Sequence, residues 1–400
     1  MRPAPPSLPP LPRPGQARPT LARRAWGRAG RFDLVLLLAV LALSAIGSLL
    51  VWSATRVRLA EAGQDPRALL YRHLAYLGIG LVIGTVVAAA DHRRLRVLAP
   101  VVYVLAMVGL VLVAGPAGAE INGSRSWIVL AGLSVQPVEF AKVALCLGLA
   151  VLLAERREIA GPREDGSGFR HTDVFVALGL AAVPVGLVLL QPDLGSVAVL
   201  VAVLAGVLVV AAVPARWILG LAVTALLGAA VAVQAHVLSE YQVHRFAAFT
   251  NPALDPRGVG YNVNQARIAI GSGGVRGTGL FHGTQTGGQF VPEQHTDFIF
   301  TVAGEELGLL GAGAIIVLFA LVLWRGCVIT RRAPDLFGAL ACTGVVCWFG
   351  FQAFENVGMA LGMMPVTGLP LPFVSYGGSA MLANLVGVGL LMSVHARSRS

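Results

Sequence analysis

Charged residues are scarce in this chain of 400 amino acids. They make up 12% of the sequence, against about 25% in soluble proteins, while hydrophobic residues make up 56% and the mean hydropathy is +0.76. This composition excludes a water-soluble globular enzyme. A disordered or fibrous protein is also excluded, because the apolar residues fall into blocks of about twenty, each long enough to cross a hydrocarbon core of roughly 30 Å.

Lysine is almost absent. Lys142 is the single lysine among 30 basic residues, and the formal net charge is +10. Such a charge could indicate nucleic-acid binding. Twenty of the 29 arginines instead lie in the two tails and in the segments between alternate apolar blocks, as the positive-inside rule describes for cytoplasmic regions. We therefore expect a membrane protein without a nucleic-acid partner.

Cysteine is also rare. All four cysteines lie in apolar segments and lack the spacing of metal ligands: Cys146, Cys327, Cys342 and Cys347. We expect them to be small core residues rather than disulfide or zinc partners.

The chain divides into a tail and a series of spans. Residues 1–32 are rich in Pro and Arg, without the apolar core or cleavage site of a signal peptide, and are predicted to be a disordered cytoplasmic tail. The first span begins near Phe32 and Asp33. Further apolar blocks cover about 71–90, 97–115, 137–154, 173–190, 194–213, 217–237, 297–324, 336–362 and 376–394. These blocks predict an all-α, polytopic bundle of about ten transmembrane helices, with both termini in the cytoplasm and a short second tail at 395–400.

One loop is unusually long. Residues 238–296 separate the seventh and eighth spans on the predicted extracellular side, and they contain enough apolar residues to pack on the membrane or fold back into the bundle. Arg245 and Arg276 lie in this loop, against the positive-inside bias, so both are candidates for binding an anion. The run from Gly271 to Gly279 is no Walker A loop, and it fits either an anion-binding backbone or a mobile lid.

Ionisable residues at membrane depth are functional candidates. Glu139 and Lys142 share one helix face at i and i+3. Two interpretations remain open for them: a structural ion pair, or a pair that holds Lys142 ready for a phosphate or carboxylate. Asp193 follows Pro192 and is expected mainly to cap the next helix.

The strongest polar cluster closes the long loop. Glu293, His295 and Asp297 lie just before the apolar residues 298–300, so Asp297 should be partly desolvated at the outer end of the eighth span. Desolvation raises the pKa of a carboxylate and makes it a better general base near neutral pH. Glu305 and Glu306 fall two turns further on, where one could pair with an arginine or with Lys142.

The run NVGMALGMMPVTGLPLPFVSYGGS at 356–379 resembles the signature of the SEDS family, which includes RodA, FtsW and SpoVE. Further similar motifs occur in the same order at 139–142, 191–193, 245–252 and 295–300. The resemblance covers a transmembrane domain at 33–394, and residues 283–293 look more like the elongation member RodA than the division member FtsW.

The resemblance implies a peptidoglycan glycosyltransferase that polymerises lipid II at the outer face of the bacterial cytoplasmic membrane, for elongation and cell shape. It implies that Asp297 is the catalytic carboxylate. The residues expected to bind substrate or pyrophosphate are Lys142, Arg245, Glu139, Glu293, His295, Arg276 and Ser375. The alternatives are a lipid II flippase or other lipid-linked transporter, a division-type polymerase, and a non-catalytic scaffold.

Three kinds of partner follow from the resemblance. They are lipid II, the membrane itself and a class B penicillin-binding protein that cross-links the new strands. A divalent cation, Mg²⁺ or Mn²⁺, is a candidate cofactor without an assigned site, and no organic cofactor is expected.

Overall fold

The fold was analysed in a computed structural model, which describes residues 32–115, 118–121, 124–130, 133–160, 171–234 and 258–398. Helices and strands are labelled in chain order. The helices are α1 (Leu34–Glu61), α2 (Ala68–Ala89), α3 (His92–Ala114), α4 (Pro137–Ala160), α5 (His171–Leu189), α6 (Leu194–Val210), α7 (Ala215–Gln234), α8 (Val259–Ser272), α9 (Thr284–Gly287), α10 (Ile299–Glu306), α11 (Gly308–Arg331), α12 (Leu336–Ala360) and α13 (Gly378–His395). The strands are β1 (Ala119–Ile121), β2 (Ser124–Leu130) and β3 (Leu133–Val135).

The long helices agree with the predicted spans. Among the described residues, eight helices have the length and hydropathy to cross a membrane, and α6 and α7 contain shorter apolar stretches. Together they lie at the ten predicted places. The helical bundle is therefore a polytopic membrane fold, as the composition indicated.

Aspartates fix where several helices begin. Asp33, Asp91, Asp193 and Asp335 each accept a hydrogen bond from a backbone N–H two or three residues further on, at 2.7 to 3.1 Å. These are N-caps, which satisfy amide groups that the first helical turn leaves unpaired. The capping role expected for Asp193 is present in the structure.

Both ends of the bundle lie on one side. Asp33, before α1, forms a salt bridge with Arg325 near the end of α11, and the Nδ1 atom of His395 lies 4.0 Å from its carboxylate. The first helix thus starts where the last helix ends, which requires an even number of crossings. We call this end of the bundle the Asp33 side and the opposite end the Asp297 side.

Two features of the fold go beyond the predicted spans. The loop 116–136 carries a small antiparallel sheet in the order β1-β2-β3, in which Val129 pairs with Ser134. The predicted eighth span, 297–324, is in fact two helices, α10 and α11. They are separated at Gly308, whose φ of +64° interrupts the helix.

The break is fixed by close backbone packing. The N–H groups of Thr278 and Gly279 donate to the carbonyl oxygens of Glu305 and Glu306, both at 3.0 Å, at the end of α10. A Cβ at Gly277 would lie 2.1 Å from the Glu306 carbonyl oxygen. The glycines therefore allow the 273–279 segment to lie directly against the break between α10 and α11.

The described part of the long loop folds back onto the bundle. Its helix α8 contributes Val263, Ala266 and Ala269 to a buried cluster with Phe298 and Met359. Arg267 donates to the carbonyl oxygens of residues 361 and 362, just after α12. This arginine stabilises the end of a helix, and the loop brings its apolar face into a second core.

Candidate active site

Asp297 lies between the long loop and α10. Its N–H donates to the Glu293 carbonyl oxygen at 3.1 Å, and its own carbonyl oxygen accepts from the Asn356 side chain at 2.7 Å. The residue is partly buried, as its position before an apolar run predicted. A Cβ at Gly368 would lie 3.2 Å from its Oδ2 atom, so the carboxylate lies against the loop that follows α12.

That loop, residues 361–377, is called the signature loop because it contains most of the run on which the family resemblance rests. Four of its apolar side chains are inserted into the core, each at most 2% exposed: Leu369, Leu371, Phe373 and Val374. The Phe373 ring makes an edge contact with Phe349 at 5.1 Å between centroids. This packing anchors the loop beside Asp297.

Hydrogen bonds join the signature loop to the segment before Asp297. The Ser375 hydroxyl donates to the Thr296 carbonyl oxygen and accepts from the Leu371 N–H at 2.8 Å. The Tyr376 N–H donates to the His295 carbonyl oxygen at 2.9 Å. Ser375 was expected to bind substrate, and here its hydroxyl holds two backbone segments together.

His295 is enclosed next to Asp297. Its ring lies 5.8 Å from that of Tyr376, which in turn lies 6.2 Å from the ring of His73. Burial and, to a smaller extent, the charge of Arg58 lower the pKa of His295 to about 4, while the charge of Glu293 opposes the shift. The imidazole is therefore neutral near pH 7 and suits hydrogen bonding better than anion binding.

Glu293 is exposed on the same segment. Its backbone is left-handed, with φ of +50°, and its carboxylate accepts from the Thr296 hydroxyl at 3.3 Å. Next to it, Gln294 is buried and donates to the carbonyl oxygens of Ala54 at 3.0 Å and Thr286 at 2.9 Å. The segment before Asp297 is thus fixed to α1 and to α9, with Glu293 facing outward.

Glu139 and Lys142 form a buried ion pair. The Lys142 Nζ atom lies 2.7 Å from Glu139 Oε1 and 2.9 Å from Gln352 Oε1, and over the Trp348 ring at 5.5 Å from its centroid. The side chains are 0% and 1% exposed. The geometry is that of the structural ion pair, and in this conformation no anion can reach the ammonium group.

Two predicted arginines remain, Arg245 and Arg276. Arg245 lies outside the described residues. Arg276 is exposed in the glycine-rich segment. The N–H groups of Gly277, Thr278 and Gly279 are all used by carbonyl oxygens, so this backbone does not offer them to an anion.

Glu305 and Glu306 do not pair with Lys142. Glu305 accepts from the N–H groups of Gln285 and Thr286 at 2.7 and 2.8 Å, and Glu306 accepts from the Ser53 hydroxyl at 2.6 Å. The expectation of a pairing with lysine was wrong, because these carboxylates instead accept hydrogen bonds from the start of α9 and from Ser53 within α1.

Four residues near the site were missed in the sequence. Gln352 and Asn356 are fully buried amides on α12 that contact the signature loop. Arg58 and Arg72 are exposed on the Asp297 side. The charge of Arg58 lowers the pKa of His295, and the Arg72 side chain hydrogen-bonds to the Tyr376 hydroxyl. Two arginines beside a predicted extracellular connection run against the positive-inside bias, which was the available signal.

A resident metal ion would need several ligating side chains close together. Across the part of the chain that the structure describes, no group of three or more His, Cys, Asp or Glu side chains is arranged to hold a metal ion. The described side chains alone therefore do not fit a resident divalent cation.

Comparison with known proteins shows the family. The model of the FtsW/RodA/SpoVE family, described as cell cycle protein, matches residues 33–400. The peptidoglycan glycosyltransferase MrdB of Escherichia coli K12 is 37% identical over 368 residues, which cover 92% of this chain and 94% of MrdB. Stage V sporulation protein E of Bacillus subtilis 168 is 35% identical, with 92% and 98% coverage.

Solved structures agree with this match. A chain from a peptidoglycan synthase complex that coordinates polymerization and crosslinking has a TM-score of 0.76 and 35% identity, over 92% of this chain and 98% of that one. The rod shape determining protein RodA of Thermus thermophilus has a TM-score of 0.66 and 34% identity, over 91% and 96%. From the length of these matches and their identities, the chain belongs to the FtsW/RodA/SpoVE family.

Proposed function

We propose that this protein is a RodA-like peptidoglycan glycosyltransferase that polymerises lipid II for cell-wall elongation. The observation that carries the proposal is the attachment of the signature loop to Asp297, through Asn356, Ser375 and Tyr376. The names of the relatives support it, since MrdB is named a peptidoglycan glycosyltransferase and an FtsW relative with 36% identity is named a probable peptidoglycan glycosyltransferase.

In this proposal Asp297 is the general base. Its carboxylate takes the proton from the 4-hydroxyl of one lipid-linked sugar as the oxygen attacks the anomeric carbon of another. The bond from that carbon to the pyrophosphate breaks, and its electron pair leaves with the polyprenyl pyrophosphate. A single displacement converts an α-linked donor into a β-linked product, so no protein nucleophile is required.

Positive charge is needed where the pyrophosphate leaves. Lys142 was the first candidate, but it is enclosed and paired with Glu139. We assign this role to arginines that are exposed on the Asp297 side, above all Arg58 and Arg72, with Arg276 as a further candidate. Arg245, which lies outside the described residues, stays a candidate from the sequence alone. Lys142 then contributes through the structure of the bundle.

In this proposal a divalent cation would be held mainly by ligands from the substrate, since the described side chains form no metal site. Pyrophosphate oxygens bind Mg²⁺ and Mn²⁺ well, and no step assigned here to Asp297 or the arginines depends on the ion. Polymerisation with and without EDTA tests this point. Full activity in EDTA would remove the cation from the proposal.

The test of the function is polymerisation of purified lipid II by the wild type and by Asp297→Ala. We expect glycan strands from the wild type and none from the variant. Polymer formed equally by both would exclude the catalytic role of Asp297. Movement of lipid II across vesicle membranes without polymer would instead favour the flippase. The absence of both polymerisation and transport would favour the scaffold.

We also propose a class B penicillin-binding protein as partner and a cytoplasmic location for both termini. The similarity to a chain of a synthase complex supports the partner. The contact between Asp33 and His395 supports termini on a common side. Co-purification with such a partner and labelling of cysteines placed near residues 2 and 399 in intact cells test the two statements separately.

A further inference from the structure

Three buried polar side chains form one stripe on α12. Trp348, Gln352 and Asn356 follow each other at intervals of four residues, so they lie on the same helix face. All three are fully buried. Buried polar groups are usually hydrogen-bonded. The N–H groups of these three side chains donate to one another, to the signature loop and to Asp297.

Asn356 joins two segments that are distant in sequence. Its Nδ2 atom donates to the Asp297 carbonyl oxygen and to the Leu369 carbonyl oxygen, both at 2.7 Å. A side-chain amide has two N–H donors, and both are used here. One side chain therefore holds Asp297 and the signature loop at a fixed separation, next to Gly368, which lies against the Asp297 carboxylate.

Gln352 binds the signature loop at Pro370, the residue after the Leu369 that Asn356 binds. Its Nε2 atom donates to the Pro370 carbonyl oxygen at 2.7 Å, while its Oε1 atom accepts from Lys142 at 2.9 Å and from Trp348 at 2.8 Å. The ammonium group of Lys142 can only donate. It therefore determines which end of the Gln352 amide faces Lys142 and which end faces the loop.

We propose that Gln352 and Asn356 are positioning residues for Asp297. The two amides act together as a clamp on the carbonyl oxygens of residues 297, 369 and 370, and Lys142 orients the clamp. Both amides are fully buried, so we assign neither of them a contact with the substrate. The proposal rests on the proposed function, because it assigns a role relative to the reaction at Asp297.

The test compares isosteric variants of the full-length protein. Asn356→Asp replaces both donors by acceptors, and Gln352→Glu keeps the acceptor for Lys142 but removes the donor to Pro370. Asn384→Asp is the matched control, since Asn384 is a buried amide on a different helix, α13. Steady-state polymerisation of lipid II gives kcat and KM, and hydrogen exchange reports the protection of residues 366–376.

We expect kcat to fall about 100-fold in Asn356→Asp, since a displacement of about 1 Å has that effect on a reacting group. KM for lipid II should change less than about threefold, and residues 366–376 should exchange faster than in Asn384→Asp. Gln352→Glu should show the same pattern more weakly. If Asn356→Asp does not fold, Gln352→Glu decides the outcome.

A kcat for Asn356→Asp close to that of Asn384→Asp would overturn the clamp, as would unchanged exchange of residues 366–376. A rise in KM with unchanged kcat would also contradict it. Asp297→Asn is measured in parallel. If Asp297→Asn retains the wild-type rate, the proposed function fails, whereas an inactive Asp297→Asn beside an active Asn356→Asp removes only the clamp.

Discussion

At the scale of single residues, the surroundings of Asp297 come from segments far from it in sequence. Gly368 illustrates this. Its φ is +81°, and a Cβ added to it would lie 3.2 Å from the Oδ2 atom of Asp297. Gly368→Ala should therefore lower kcat at least tenfold by displacing the carboxylate. Polymerisation kinetics check this.

Gly63→Ala is the matched control for that change. Gly63 has a similar φ of +69°, and nothing lies within 4 Å of an added Cβ. Both substitutions carry the backbone strain of a left-handed residue, on the order of 1 kcal/mol. Equal loss of kcat in the two variants would contradict the contact between position 368 and Asp297.

His295 gives a pH dependence of stability. Its pKa is about 4 in the folded protein, mainly through burial, against 6.5 for an unperturbed histidine. Between these values the unfolded chain binds more protons than the folded one, so stability falls as the pH falls below about 6.5. At pH 5 the loss should be about 2 kcal/mol.

Thermal unfolding at pH 7 and pH 5 measures this effect. His295→Asn removes the titrating group, so its Tm should fall less between the two pH values than that of the wild type. His282→Asn, at an exposed histidine, should behave like the wild type. A pH dependence that His295→Asn leaves unchanged would show that another group causes it.

At the scale of helices, Lys142 connects α4 to α12, because its ammonium group pairs with Glu139 on α4 and donates to Gln352 on α12. Lys142→Met leaves a buried carboxylate without its cation, which should reduce the free energy of unfolding by about 3–5 kcal/mol. The double variant Glu139→Leu, Lys142→Met removes both charges and should recover much of the loss. Unfolding of the three proteins tests this. An unchanged Tm in Lys142→Met would contradict the structural role.

The break between α10 and α11 depends on Gly277. A Cβ there would lie 2.1 Å from the Glu306 carbonyl oxygen, at a φ of +80°. Gly277→Ala should reduce the free energy of unfolding by about 2 kcal/mol or more. Gly271→Ala is the control within α8, where an added Cβ meets nothing within 4 Å, and it should be neutral or slightly stabilising. Thermal unfolding that ranks the two variants equally would contradict the close packing at the break.

At the scale of the whole molecule, the sequence predicted the bundle because hydropathy follows from local composition. The eight long and two shorter apolar helices of the described residues are local features of this kind, and so is the capping by Asp193. The division of the predicted eighth span was not predicted, although Glu305 and Glu306 precede the break directly, because the break also depends on packing against residues 273–279.

The site was only partly predictable for the same reason. Asp297, His295 and Glu293 form a local motif, and the family resemblance singled out Asp297. Asn356 and Gln352 look like ordinary polar residues in a span, and only the fold shows that they meet the signature loop. Lys142 was notable for its rarity, but its partner Gln352 lies 210 residues away.

The central claim is that the carboxylate of Asp297 performs the chemistry. The most direct measurement is the initial rate of lipid II polymerisation by the wild type, Asp297→Asn and Asp335→Asn. Asp335 caps α12, and asparagine caps equally well, so this control should retain the wild-type rate. We predict a loss of about 10²–10⁴-fold in Asp297→Asn, with unchanged Tm. A rate within threefold of the control would contradict the account.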